Sequence, residues 1–195
     1  MSRSPRGGTS QLRIIGGQWR GRKLGFTPAD GLRPTGDRIR ETLFNWLAAD
    51  IHGARCLDLF AGSGALGLEA LSRGAAHCDF VDTAAAGIAD IQRHLGTLAA
   101  TGGHCHHSSA LDFLAQPHPT WDIVFIDPPF GQALVGPACD LLARGSVLAP
   151  HALVYIETGL DETLPELPAN WELHRDKSSG QVSYRLFVVA PGENV

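Results

Sequence analysis

The chain has 195 residues, of which 44% are hydrophobic and 18% charged, and its formal net charge is −4. This composition is typical of a folded protein of about one domain and excludes a chain that is disordered over most of its length. It contains no apolar run of about 18 residues, as a membrane span requires, and its start, MSRSPRGGTS, lacks the apolar stretch of a secretory signal, so we expect a cytoplasmic protein with no membrane partner.

The first 40 residues are strongly basic. They contain nine Lys and Arg against two Asp, a net charge of +7, which leaves −11 for residues 41–195. A local positive charge on an acidic body favours contact with a polyanion, so nucleic acid is the first partner to consider. Residues 1–11 are rich in Ser, Gly, Pro and Arg and lack periodicity, which predicts a disordered basic tail.

The next segment predicts a β-hairpin that contacts RNA. Two short apolar runs, 12–15 and 23–26, flank the sequence GGQWRGR, which places Trp19 and arginines at the tip. An indole can stack on a base while neighbouring cations contact phosphates. The residues predicted to contact RNA are Arg13, Trp19, Arg20, Arg22, Lys23 and Arg33.

A helix is predicted after the hairpin. Thr35 is a suitable N-cap, and apolar residues recur at helical spacing from there to about Asp50. The hairpin and this helix form a predicted N-terminal extension over residues 12–50, followed by a main domain over residues 51–195.

The main domain alternates strands, glycine turns and helices. Strands are predicted at 56–60, 78–81, 104–107, 121–126, 153–156, 171–175 and 182–189, and helices from the first glycine turn to Arg73 and at 84–100, 111–114 and 134–142. The run 121–126 is almost continuously apolar, as in a parallel sheet covered on both faces. The alternation predicts a doubly wound α/β sheet that ends in a hairpin.

A glycine-rich turn follows the first strand of this domain. Residues 62–67, GSGALG, fit G-x-G-x-x-G and open a helix, and Asp82 ends the next strand. Such glycines let the backbone approach a nucleotide-bearing cofactor, and such an acid binds ribose hydroxyls. The turn alone fits a dinucleotide or S-adenosylmethionine. Asp58, a carboxylate inside the strand, is unfavourable beside a pyrophosphate and suits the cationic methionine end of S-adenosylmethionine.

A second motif, DPPF at residues 127–130, follows the fourth strand at the edge where α/β sheets bind ligands. Two prolines make the turn rigid and remove two amide donors, which leaves the Asp127 carboxylate and the Pro128 carbonyl as acceptors. Two acceptors can hold both hydrogens of a base amine and direct its lone pair towards an electrophilic methyl. Phe130 offers a ring on which an extruded base can stack.

These motifs resemble those of S-adenosylmethionine-dependent amino-methyltransferases. LDLFAGSG looks like the cofactor motif, and DPPF looks like the catalytic [DN]-P-P-[YF] motif. Together with RIIGGQWRGRKL and GLRPTGDRIRETLFNWL, they are similar to bacterial 16S rRNA guanine-N2 methyltransferases of the RsmD type, over about residues 13–157. The resemblance implies a Rossmann-like class I methyltransferase fold with a seven-stranded sheet and an antiparallel C-terminal hairpin.

The resemblance also implies roles for individual residues. It assigns catalysis to Asp127, Pro128, Pro129 and Phe130, and cofactor binding to Asp58, Phe60, Ala61, Gly62, Gly64, Asp82, Ser109, Ala110, Leu111, Thr35, Arg38 and Glu41. Thr35, Arg38 and Glu41 belong to a segment that closes over the cofactor in the family. The implied substrate is guanine 966 of 16S rRNA on a small-subunit assembly particle, and S-adenosylhomocysteine is the implied product of the cofactor.

Two other features are interpreted as structural. The run from His104 to His107 suggests a metal site, but adjacent strand residues point to opposite faces, so we predict no metal. Glu157, at the end of the fifth strand, is interpreted as a structural residue.

The sequence therefore predicts a monomeric rRNA methyltransferase. Three alternatives stay open: a nicotinamide-dependent oxidoreductase on the same fold, a non-catalytic RNA-binding assembly factor, and a DNA adenine-N6 methyltransferase. DPPF and the basic extension disfavour the oxidoreductase, and the lack of a separate DNA-reading segment disfavours the DNA enzyme.

Overall fold

A computed structural model describes residues 10–28 and 35–191 of the chain. The strands are β1 (Ser10–Arg13), β2 (Lys23–Phe26), β3 (Arg55–Asp58), β4 (His77–Asp82), β5 (Gly103–His107), β6 (Trp121–Ile126), β7 (Leu148–Gly159), β8 (Trp171–Ser179) and β9 (Val182–Val189). The helices are α1 (Asp37–Trp46), α2 (Ala65–Ser72), α3 (Ala85–Thr97), α4 (Ala110–Leu114) and α5 (Val135–Arg144).

The main sheet has seven strands in the order β5-β4-β3-β6-β7-β9-β8. The strands from β5 to β7 are parallel, and β9 is antiparallel to both of its neighbours. This confirms the predicted mostly parallel seven-stranded sheet with an antiparallel C-terminal hairpin. The chain reverses its direction of winding between β3 and β6, and a crevice at the carboxyl ends of such strands is where α/β sheets bind ligands.

Both faces of the sheet are covered, as predicted. Because side chains alternate along a strand, Cys56 and Phe80 pack in one cluster with helices α1 to α3. Their neighbours Leu57 and Val81 pack in a second cluster with α4 and α5. The central strands are therefore largely apolar on both sides, and Asp58 and Asp82 lie at the carboxyl ends of β3 and β4.

The N-terminal hairpin packs on the first of these clusters. Leu12, Leu24 and Phe26 are buried in it together with α1, α2 and α3. The first strand begins at Ser10, two residues before the predicted start at residue 12. The polar residues Ser10 and Gln11 can pair with β2 because an antiparallel ladder is formed by backbone groups alone. The predicted tail therefore ends two residues too late, and its residues 1–9 lie outside the described part of the chain.

The helix after the hairpin differs from the prediction at both ends. Gly36 is its N-cap, so the assignment of Thr35 as the cap is wrong; the Thr35 hydroxyl bonds to Asp127 instead. The helix ends at Trp46 and not near Asp50, because the chain turns after Leu47 towards β3.

A buried ion pair joins this helix to the rest of the fold. The Arg40 guanidinium lies 3.2 Å from the Glu69 carboxylate, and both side chains are almost fully buried. Arg40 Nε also donates to the Thr35 carbonyl at 3.1 Å. Glu69 accepts further hydrogen bonds from the amides of Ile15 and Gly16, at 3.0 and 2.8 Å. The pair thus connects the hairpin, α1 and α2 to the segment that carries Thr35.

The strand β7 is longer than the predicted 153–156. Its partner β9 pairs with it from Leu153 to Gly159 and continues the ladder past the apolar run. The strand β3 ends at Asp58, so Leu59 and Phe60 belong to the following turn. No helix within residues 10–28 and 35–191 is both long enough and apolar enough to cross a bilayer.

Candidate active site

A cavity of about 700 Å³ opens at the carboxyl ends of β3, β4, β6 and β7. This volume lies within the range of small-molecule sites. The cavity is lined by these predicted site residues: Thr35, Asp58, Phe60, Ala61, Gly62, Asp82, Ser109, Ala110, Leu111, Asp127, Pro128, Pro129 and Phe130. Three others, Arg38, Glu41 and Gly64, do not line it. The structure therefore brings together most of the candidates from separate parts of the chain.

The glycine-rich turn is fixed by close packing between α2 and the sheet. Asp58 Oδ2 accepts a hydrogen bond from the Gly67 amide at 2.9 Å. A Cβ at Gly67 would lie 2.2 Å from the Phe80 ring, so only glycine allows this approach. Gly64 has φ +79°, a left-handed conformation that glycine adopts without strain, and it packs against Ile91 instead of facing the cavity.

Asp58 is an acid in a low-polarity environment. Burial raises its pKa to about 7, the Gly67 amide bond lowers it, and the charges of Asp127 and Asp82 raise it. Its carboxylate lines the cavity. A cation bound beside it would favour the ionised form, so the site is suited to a positively charged group.

Asp82 lies at the end of β4 and orders the glycine-rich turn. Its two oxygens accept hydrogen bonds of 2.8 Å from the amides of Gly62 and Ala84. A carboxylate has about four acceptor positions, so lone pairs remain for a ligand in the cavity.

Ser109 precedes α4, and its hydroxyl bonds mainly within that helix. Its hydroxyl accepts from the Asp112 amide and donates to the Asp112 carboxylate at 2.7 Å, which makes it a helix N-cap. Ala110 and Leu111 line the cavity beside it and supply an apolar wall.

The DPPF turn places Asp127 on the cavity wall. Asp127 Oδ2 accepts a hydrogen bond of 2.9 Å from the Thr35 hydroxyl. Burial raises the pKa of Asp127, and the bond from Thr35 lowers it. Pro128 is buried, whereas Phe130 is 46% exposed, a large apolar ring open to solvent.

The turn is braced from the far side by Glu162. This carboxylate accepts hydrogen bonds from the amides of Gly131 and Gly159, the second at 2.7 Å. Glu162 thereby connects the residue after DPPF to the end of β7, so the turn is held at both ends.

Glu157 is a site residue that the sequence analysis interpreted as structural. Because Ile126 and Ile156 are register partners, Asp127, which directly follows β6, lies beside Glu157 of the adjacent parallel strand β7. Glu157 Oε2 accepts from the Tyr155 hydroxyl at 2.9 Å and lies 3.4 Å from the Thr35 hydroxyl. Burial raises the pKa of Glu157, and the Asp127 charge raises it further. A carboxylate at the end of the strand beside the DPPF strand was the sequence feature that could have identified it.

The segment predicted to close over the cofactor contributes three residues to the cavity wall, Thr35, Gly36 and Ile39. Arg38 and Glu41 are exposed on α1 and do not line the cavity. Their role in cofactor binding stays a prediction.

The predicted RNA-contacting residues form a basic surface on the hairpin. Arg20, Arg22 and Lys23 are exposed and belong to none of the ion pairs within residues 10–28 and 35–191. Arg13 pairs with Asp37 at 3.1 Å, at the start of α1 and next to the cavity-lining Gly36. The hairpin therefore adjoins the cavity mouth. Arg33 lies outside the described residues.

The Trp19 indole is only partly accessible for stacking on a base. It is half-buried and packs against the main core cluster, and its amide donates to Ser72 Oγ at 3.0 Å. Only part of the indole therefore faces solvent.

The histidine run on β5 is part of a hydrogen-bonded cluster. His106 and His77 bond to the two oxygens of Asp79, at 2.8 and 2.9 Å, and the Trp121 indole donates to the same carboxylate. In the described part of the chain, no three His, Cys, Asp or Glu side chains are arranged to hold a metal ion.

A seven-stranded sheet of this order, with a glycine-rich turn after β3 and DPPF after its neighbour β6, defines a Rossmann-like methyltransferase fold. A Thermus thermophilus 16S rRNA N2 methyltransferase, RsmC, solved in complex with AdoMet and guanosine, shares the fold with a TM-score of 0.65. It is 20% identical, and the match covers 94% of this chain and 50% of that one.

Closer matches identify the family. Residues 12–188 match the family described as Conserved hypothetical protein 95. Ribosomal RNA small subunit methyltransferase D of Escherichia coli K12 is 51% identical over 187 residues, covering 96% of this chain and 94% of that protein. The solved structure of Escherichia coli yhhF is 50% identical with a TM-score of 0.86, covering 93% of this chain and 99% of that one. The chain belongs to the ribosomal RNA small subunit methyltransferase D family.

Proposed function

We propose that this protein transfers a methyl group from S-adenosylmethionine to the exocyclic N2 of guanine 966 in 16S rRNA, on a small-subunit assembly particle. The observation that carries the proposal is the position of Asp127 and Pro128 on the wall of the same cavity as the glycine-rich turn. Membership of the methyltransferase D family supports methyl transfer over hydride transfer.

The cavity residues fit S-adenosylmethionine. Asp58, buried and with a raised pKa, suits the cationic methionine end, and Asp82 retains acceptor positions for ribose hydroxyls. Ala110 and Leu111 offer an apolar surface to the adenine. When bound, the cofactor supplies an electrophilic methyl group on a sulfonium centre.

The chemistry of the chain is mainly positioning. The Asp127 carboxylate and the Pro128 carbonyl accept the two hydrogens of the guanine amine, which turns its lone pair towards the methyl group. Orientation of two reactants in one cavity is among the largest contributions that a protein makes to rate. Phe130, exposed at the mouth, stacks on the extruded base, and the surplus proton of the methylated amine leaves to solvent.

The hairpin supplies the contact with rRNA. Arg20, Arg22 and Lys23 neutralise backbone phosphates, while Arg13 lies beside the cavity mouth. We further propose that the protein acts as a monomer in the cytoplasm and needs no metal.

Labelled methyl transfer tests this function. Particles of 30S from cells lacking the activity are incubated with labelled S-adenosylmethionine and the protein, and the nucleosides are analysed. We expect N2-methylguanosine at one site, and a loss of at least about 100-fold for Asp127→Ala, as for removal of a transition-state hydrogen-bond acceptor or donor in other enzymes. Asp50→Ala, an exposed carboxylate beyond α1, is the matched control and retains activity.

Other substrates distinguish the alternatives. Methylation of adenine in DNA would support the DNA enzyme, and RNA binding without transfer would support an assembly factor. Near-normal turnover of folded Asp127→Ala would overturn the catalytic assignment.

A further inference from the structure

A second cavity lies behind the DPPF turn. Its volume is about 340 Å³, and it shares Pro128, Pro129, Leu134 and Glu157 with the first cavity. Glu157 therefore borders both spaces although only 4% of it is exposed. A buried carboxylate in this position is costly unless it has hydrogen-bond partners.

The partners of Glu157 and Asp127 occupy only one oxygen of each carboxyl group. The Thr35 hydroxyl lies 2.9 Å from Asp127 Oδ2 and 3.4 Å from Glu157 Oε2, and the Tyr155 hydroxyl donates to the same Oε2. Within residues 10–28 and 35–191, Asp127 Oδ1 and Glu157 Oε1 have no hydrogen-bond partner, and neither belongs to the fully buried unpaired atoms. Both oxygens are therefore accessible from the space around the DPPF turn, where Asp127 and Glu157 line the first cavity.

The free oxygen of Glu157 is an acceptor in either protonation state. Thr35 donates its single hydroxyl proton to Asp127, so its oxygen can accept a proton from Glu157 Oε2. When Glu157 is neutral with its proton on Oε2, Oε1 is a carbonyl oxygen. When Glu157 is ionised, Oε1 is a carboxylate oxygen.

We infer that Glu157 is a specificity-determining residue that accepts the N1–H of the target guanine through Oε1. The inference rests on the proposed guanine-N2 activity. The Watson–Crick edge of guanine carries three hydrogens, one on N1 and two on N2. The cavity wall offers three acceptors for them: Glu157 Oε1, Asp127 Oδ1 and the Pro128 carbonyl.

The same arrangement disfavours adenine. Adenine has an exocyclic amine but no hydrogen on N1, so its N1 lone pair would face the Glu157 oxygen. A site built to accept a hydrogen bond rejects an analogue that lacks the donor, because the buried acceptor is then left unpaired.

Substitution of 2-aminopurine for the target guanine tests the contact. This base keeps the amine at C2 but has no hydrogen on N1. An rRNA segment carrying guanine or 2-aminopurine at the methylated position is ligated into 16S rRNA and assembled into particles, and kcat/KM for methyl transfer is measured on each. For the wild type we expect a preference for guanine of about 10- to 100-fold, the effect of leaving a buried acceptor unpaired.

Variants of Glu157 assign that preference to the residue. Glu157→Leu should lower kcat/KM for guanine and leave 2-aminopurine nearly unchanged, so that the preference disappears. Glu157→Gln should retain it, because the amide can donate to Thr35 and present its oxygen to the cavity. Tyr155→Phe is the matched control: it removes a hydroxyl from the same cluster but keeps the acceptor, so the preference should persist.

Each outcome decides a separate point. Equal losses on both bases in Glu157→Leu would show a structural role only, and a wild type that does not distinguish the bases would overturn the inference without any variant. In both cases methylation of guanine by the wild type would leave the proposed function standing. If the wild type methylated neither base, the proposed function itself would fail, and the inference with it.

Discussion

The Thr35 hydroxyl donates a hydrogen bond of 2.9 Å to Asp127 Oδ2, although the two residues are 92 positions apart in the chain. Thr35 directly precedes Gly36, the N-cap of α1, and Asp127 follows β6. The N-terminal extension therefore touches the proposed catalytic carboxylate itself.

We predict that methyl transfer depends on the ionised form of Asp127. Burial raises the pKa of this carboxyl from 3.8 to about 6. Activity should therefore be full above this value and fall as the pH decreases through it, because the protonated acid is a poorer acceptor for the amine. The pH dependence of kcat/KM, measured with saturating cofactor, checks this, and a profile flat down to pH 5 would contradict it.

Removal of the Thr35 hydroxyl should raise the pH at which kcat/KM begins to fall. The bond from Thr35 lowers the pKa of Asp127, so Thr35→Val should raise it by about one to two units, the equivalent of one hydrogen bond to a charged group. Thr35→Ser keeps the hydroxyl and should keep the wild-type profile. If kcat/KM of Thr35→Val fell at the same pH as in the wild type, the bond would not control the pKa of Asp127.

Cofactor binding should release protons through Asp58. Its pKa is raised to about 7 by burial, and a bound cation favours the carboxylate, so at pH 7 binding expels up to about half a proton. Calorimetry in buffers of different ionisation enthalpy measures this release. Asp58→Asn keeps an acceptor for the Gly67 amide but has no proton to lose, so its binding enthalpy should not depend on the buffer. Buffer-independent enthalpy in the wild type would refute the assignment.

Gly67→Ala should destabilise the protein strongly. The added Cβ would lie 2.2 Å from the Phe80 ring, which forces α2 away from the sheet and costs about 2 kcal/mol or more of unfolding free energy. Gly96→Ala is the control, because Gly96 lies exposed in α3 with no atom within 4 Å of the new Cβ. That variant should be as stable as the wild type or up to about 1 kcal/mol more stable. Urea unfolding of both variants decides the point.

Loss of Arg20 and Arg22 should weaken RNA binding by a salt-dependent amount. Each lost phosphate contact lowers the slope of log K against log salt concentration by about one unit, without a change in the methylated site. Arg144→Ala, at the end of α5 on the opposite face of the sheet, is the control. Titration of rRNA fragments at several salt concentrations measures the slopes, and equal slopes in the wild type and the double variant would place the RNA elsewhere.

The sequence was sufficient to locate the two motifs at one edge of the sheet. Strand patterns and G-x-G-x-x-G placed Asp58 inside one parallel strand, Asp82 at the end of the next and Asp127 directly after another, and the carboxyl ends of such strands share an edge by topology. This part of the prediction depended only on local pattern and chain direction, both of which the sequence contains.

The partners of Thr35 and Glu157 were beyond such reasoning. They depend on how α1 packs on the sheet, which no local pattern specifies. The helical spacing did indicate one buried residue of α1. Arg40 is three residues before Leu43 and four before Phe44, so its side chain lies on the same buried face of the helix. Arg38 does not have this spacing. Helical spacing could therefore have favoured Arg40 over Arg38 as the buried residue of this helix.

The hydrogen bonds of the buried Glu69 make the hairpin an integral part of the fold. Two of the donors to this fully buried carboxylate are amides of the hairpin, at Ile15 and Gly16, and the others are Arg40 and Arg73. A chain shortened to begin at α1 would lack the two amide donors, and each lost hydrogen bond to this buried charge costs about 1.5 to 3 kcal/mol. Transferred to another protein, the basic hairpin would lose its hydrogen bonds to Glu69. Its removal from this protein would expose α2, the helix that the glycine-rich turn opens.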